Sequence, residues 1–135
     1  CYMIYACICC DGNQDNANMR QTATNNRLWR VLDSGDGGDV AIDSLLRAGM
    51  SQSLNFTSSQ NLSGFARRLY DAGNALISLD FPALSLTSGG TAPTWQFVTP
   101  LAVNQVAGGR LVFGAGNGVY ESIEPLAQRF QSSFA

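Results

Sequence analysis

The sequence predicts an all-β protein. Three observations predict it: apolar, β-branched or aromatic runs of about five residues, turn-forming clusters recurring roughly every 8 to 12 residues, and no sustained helical period. These features fit a sandwich, a barrel or a propeller alike, because each is built from short strands and tight turns.

Tyr2 to Cys10 is apolar enough for a strand and stops at DGNQDN, a cluster of turn formers. Leu28 to Leu32 reads as the next short strand, Asp33 to Gly38 as a glycine-rich turn, and Val40 to Ile42 as another strand. The helix-like run from Ser44 to Gly49 is too short to stand alone and reads as a connection. SLNFTSSQ and FARRLYDAG follow as two strands, the second leaving through Asp71-Ala72-Gly73, where glycine makes positive φ cheap. Ala75 to Leu79 gives a further strand, and the Pro-, Ser-, Thr- and Gly-rich stretch from Phe81 to Thr94 reads as loop. In the last third, Phe97 and Val98 precede three strands, Leu101 to Val103, Arg110 to Gly114 and Val119 to Ile123, separated by two glycine turns. Pro125 opens a tail in which Leu126, Phe130 and Phe134 share one side of a terminal helical turn.

Composition narrows the function. Apolar residues make up 45% of the 135 and charged residues 13%, so the chain can bury a core and does not read as disordered. The basic side chains are 8 arginines against 10 acids, for a net charge of -2, which leaves no electrostatic claim on nucleic acid. There is no His, so Ser-His and Cys-His nucleophile pairs and the commonest metal ligand are missing, and any catalysis must run on carboxylates. All four cysteines, Cys1, Cys7, Cys9 and Cys10, fall in the first ten residues with no second pair downstream, which does not make a zinc site. No apolar run approaches the ~18 residues a membrane span needs, so no membrane insertion is expected. The chain starts inside a strand without an initiator Met, and so reads as a piece of something longer, with any export signal upstream.

Three ordered stretches carry a resemblance. GNQDNANMRQT with NNRLWRVLDSGDGGDVAID combines a Gln-Asp-Asn turn, a Trp strand, Gly-Asp-Gly-Gly and a Val-Ala-Ile-Asp strand. FTSSQNLSGFARRLYDAGN repeats an aromatic, Ser-Gln and a later Arg-Arg, and TPLAVNQVAGGRLVFGAGNGVYESIE ends in Asn-Gly-Val-Tyr-Glu-Ser. Together they resemble the BNR (Asp-box), sortilin-like β-propeller repeat family of secreted proteins, over most of positions 11 to 124. The Asp box itself is degraded: SGGTAPTW runs from Ser88 through Gly89 and Gly90 to Trp95 without an Asp.

The resemblance implies a partial β-propeller built from four-stranded antiparallel blades, about 1–45, 46–90 and 91–124, with 125–135 as a tail. Closed propellers have about four to eight blades, so it implies that the remaining blades, or other copies of the chain, complete the unit. It also implies an extracellular or cell-surface location and a binding or scaffold surface for a glycan or protein ligand. The alternatives are a glycoside-hydrolase-like fragment and a structural subunit that assembles through open strand edges.

Candidate site residues follow from chemistry. Asp36 and Asp39 in SGDGGD sit among glycines that allow close approach, and with Asp15 they are the candidate carboxylates of a hydrolase; the competing reading is that they cap turn amides. Gln14 and Asn16 beside Asp15 offer oxygens for sugar hydroxyls or calcium. The Asp11, Asn13, Asp15 spacing resembles the start of a calcium loop but has Thr22 where the bidentate Glu belongs. Arg67 and Arg68 project to opposite faces of a strand, Arg67 being the candidate ligand contact, with ion pairing as the competing reading. Trp29, Trp95, Tyr70 and Tyr120 are able to stack on sugars, Trp29 foremost, although aromatics at strand starts are more often core.

Overall fold

The computed structural model describes residues 10–23, 25–45, 47–123 and 129–131. These residues form antiparallel sheets of three and four strands and one short parallel pair, with only two single 3₁₀ turns, at Ala48–Met50 and Gln60–Leu62. The all-β expectation holds. The first sheet joins β1 (Cys10–Asn13), β2 (Ala17–Gln21) and β3 (Trp29–Val31), and the second joins β4 (Gly37–Asp43), β5 (Ser53–Ser59), β6 (Ala66–Tyr70) and β7 (Leu76–Asp80) in sequence order. β8 (Ala83–Ser85) precedes the third sheet, whose strands are β9 (Leu101–Val103), β10 (Leu111–Ala115) and β11 (Gly118–Ser122). β12 (Arg129–Gln131) runs parallel to β8. None of these sheets closes on itself.

β5 explains the layering. Its residues Leu54 to Ser58 are all buried, so both of its faces are covered, yet its sequence alternates apolar and polar side chains. Leu54 and Phe56 face one way and join Ala41, Leu62, Phe65, Leu101, Leu111, Phe113 and Tyr120 in the apolar core shared with the third sheet. Phe65 stands edge-on to Phe113 at 5.5 Å between ring centres, and Trp95 packs against both Phe113 and Tyr120. Asn55 and Thr57 face the other way, toward the first sheet, where the layer is polar: Asn18, Arg20 and Arg68 are buried there.

Three expectations are corrected. Asp11 to Asn13 belong to β1, and the turn is confined to Gln14-Asp15-Asn16, because the hairpin register brings Asn13 opposite Ala17. The expected loop after Phe81 contains β8, which finds its partner in β12, far along the chain. Phe130 of the expected helical turn lies in that β12 strand; Leu126 and Phe134 fall outside the described residues. Cys1, Cys7, Cys9 and most of the first expected strand also lie outside the described residues.

Candidate functional site

Gly37 and Gly38 of the SGDGGD segment are required by chain packing, and Gly35 by its positive φ of 93. Gly12 of β1 lies against Gly38 of β4, and a Cβ on Gly37 would sit 2.5 Å from both the carbonyl oxygen of Ala17 and the amide nitrogen of Asn13. A Cβ on Gly38 would sit 2.7 Å from Ser58 Oγ and 2.8 Å from the Ser58 carbonyl oxygen. The first sheet therefore crosses β4 at backbone-to-backbone distance, which only glycine permits.

Where strands cross out of register their amides cannot pair with one another and need other acceptors. Four aspartates supply them. Asp36 Oδ1 accepts the Asp15 amide at 2.9 Å, so the structure does bring these two candidates together, but through the backbone of Asp15 rather than its carboxylate. Asp39 accepts the Val40 amide with Oδ1 and the Leu101 amide with Oδ2, both at 2.9 Å, and so ties β4 to the start of β9. Asp43, buried four residues further along β4, accepts the Leu45 amide at 2.8 Å and the Gly109 amide at 2.9 Å. Asp33 Oδ1 takes both the backbone amide of Asn18 and its side-chain Nδ2, at 3.1 and 3.0 Å.

The remaining candidates are dispersed. Gln14, Asp15 and Asn16 are exposed at the tip of the β1–β2 hairpin, Asp15 in the left-handed region at φ 62. Asn16 Nδ2 donates back to the Gln14 carbonyl, and Asp11 Oδ2 accepts from Asn13 Nδ2 at 3.2 Å. Among the described residues no three His, Cys, Asp or Glu side chains converge as a metal would require. Trp29 sits opposite Gln21 on the edge strand β3, 41% exposed. Arg67 is buried in the second sheet, where Nη2 meets Asp80 Oδ2 at 3.3 Å from the adjoining strand.

The most connected group centres on Arg68, for which the sequence offered ion pairing but no partner. Arg68 Nη1 donates to Thr57 Oγ1 at 2.6 Å, and its Nη2 reaches the Leu32 carbonyl at 3.0 Å and Asp33 Oδ2 at 3.5 Å. Thr57 Oγ1 in turn donates to Asp33 Oδ2, and Asn18 Nδ2 donates to the Ser58 carbonyl at 2.8 Å. This network joins the first sheet to the second across their polar layer. The one available signal was the alternation in β5, which places Asn55 and Thr57 on a face that then has to find polar partners.

No protein-family model, curated protein or solved structure matches the chain.

Proposed function

We propose that the chain is a propeller-type β module of the secreted kind that serves as a binding and scaffold surface, and that its partner along β7 is a second copy of itself. The observation that carries this reading is the outer strand of the four-stranded sheet. Among the described residues β7 pairs with β6 alone, and Leu76, Ile77 and Leu79 are 52%, 49% and 44% exposed, followed by Phe81 at 66%. An unpaired strand edge offers backbone donors and acceptors to another strand, and apolar side chains along it add burial on pairing.

The strand is also self-complementary. In an antiparallel pair centred on Ser78, Ile77 of one copy stands opposite Leu79 of the other, and both sites occur twice. The β6–β7 register skips Ile77, and such a bulge bends the strand and limits how far further pairing extends. A two-fold pair uses both edges and closes as a dimer.

The order β4-β5-β6-β7, with β4 against the neighbouring sheets and β7 outermost, supports a blade-like unit. A glycoside hydrolase needs two carboxylates free to face one cleft, whereas Asp36 and Asp39 carry backbone amides, which favours binding over hydrolysis. Sugar stacking would rest on Trp29, since Tyr70 and Tyr120 are buried and Trp95 packs against the core. Light scattering over a wide concentration range tests the proposal: the mass rises from 14.4 kDa toward twice that value and returns to it in Ile77→Lys and Leu79→Lys. A wild-type monomer at every concentration overturns it.

A further inference from the structure

β2 and β3 set Arg20 directly opposite Arg30, so both side chains leave the same face of the first sheet. Across from them stand Tyr70, the last residue of β6, and Asn74 in the turn that follows. The Arg20 guanidinium carbon lies 3.7 Å from the centre of the Tyr70 ring, and its Nη2 donates to Asn74 Oδ1 at 3.0 Å. Arg20 is only 7% exposed, and its Nε is buried with no hydrogen-bond partner.

Among the described residues no carboxylate lies within ion-pair distance of Arg20 or Arg30, whereas Arg67, Arg68 and Arg110 each have one. Asp71, the acid nearest in sequence to Tyr70 and Asn74, spends Oδ1 on the Ala75 amide. Burying a guanidinium without a counter-charge is costly, and stacking on an aromatic ring offsets only part of that cost. Arg30 is exposed, so the second cation guards the solvent side of the same place.

We propose that the mouth between the β2–β3 ladder and the β6–β7 turn binds a tetrahedral oxyanion of the phosphate or sulfate class, held by Arg20 and closed from the solvent side by Arg30. Two guanidinium groups from adjacent strands supply donors from several directions, as a tetrahedral acceptor requires, rather than in the single plane that suits a carboxylate. The site lies at the junction of the first two sheets and is independent of pairing along β7.

The test titrates the whole chain with inorganic phosphate, sulfate and acetate, balancing ionic strength with sodium chloride, while reading the melting temperature and the Arg Nε–Hε resonances by NMR. Phosphate and sulfate raise the melting temperature saturably and shift the Arg20 resonance, and acetate does so more weakly. Arg30→Gln, at an exposed position, folds normally by circular dichroism and loses roughly tenfold in affinity for phosphate, the loss expected of one charge-assisted contact. Arg20→Lys keeps the charge but loses the fork and weakens binding further. A response to phosphate no larger than to chloride overturns the proposal, as does wild-type affinity in Arg30→Gln.

Discussion

Replacing Asp39 by Asn keeps the size of the side chain and changes what its two outer atoms do. In the native chain both oxygens accept, from the Val40 and Leu101 amides at 2.9 Å each. In Asp39→Asn one of those amides faces an NH₂ group, which donates and cannot accept, and the other loses the help of the negative charge. Leu101 is 6% exposed, so its amide has little water to turn to. A hydrogen bond to a charged group is worth about 1.5–3 kcal/mol, and a buried donor left without a partner costs about as much. The variant should therefore lose about 2–3 kcal/mol. With a urea slope of roughly 1–3 kcal/mol per molar for a small protein, the midpoint falls by about 1–2 M. Trp95, 6.2 Å from Phe113 and Tyr120 in the core, provides the fluorescence signal. Asp15→Asn is the control. Asp15 is exposed at φ 62, a conformation Asn adopts readily, so stability changes by no more than about 0.5 kcal/mol. A loss below about 0.5 kcal/mol in Asp39→Asn would refute the view that this carboxylate ties β4 to β9.

Gly38→Ala places a methyl group 2.8 Å from the Ser58 carbonyl, where backbone must move, and should cost about 3 kcal/mol by urea denaturation. Arg68→Ala strips donors from Thr57, the Leu32 carbonyl and Asp33 across the polar layer, and is expected to cost about 2–4 kcal/mol by the same measurement. Burial raises the Tyr70 hydroxyl above its ordinary 10.0, against the pull of the Arg20, Arg68 and Arg30 charges. The folded chain thus holds this proton more tightly than the unfolded one, so the stability it provides is complete below pH 10.0 and is lost as pH rises through the folded value. Melting temperatures on either side of that pH should fall less steeply in Tyr70→Phe than in the native chain.

What the sequence made legible was local. The glycine turns at Asp71-Ala72-Gly73 and before Arg110 bound strands close to where the structure has them, because turn chemistry acts within a few residues. β8 was hidden because its partner, β12, lies more than forty residues away and a three-residue strand has no period of its own. The candidate site shows the same divide. An Asp among glycines is equally suited to chemistry and to accepting amides, and what separates the two for Asp39 is an amide 62 residues along the chain. Arg67 and Arg68 were seen to project to opposite faces, but not that Arg67 would meet Asp80 from the adjoining strand while Arg68 reached the Asp33 loop. The glycines of GDGG suggested room for a ligand, and the room at Gly37 and Gly38 is taken by the backbone of β1, β2 and β5.

The central functional claim is that β7 pairs with β7 of another copy, and amide hydrogen exchange tests it at the strand itself. Compared between dilute and concentrated protein, the outward-facing amides of Leu76–Asp80 should exchange more slowly at high concentration, while those of β5, already buried on both sides, do not change. If exchange along β7 is the same at every concentration, the strand has no partner in solution and the account of this module as a self-assembling scaffold is wrong.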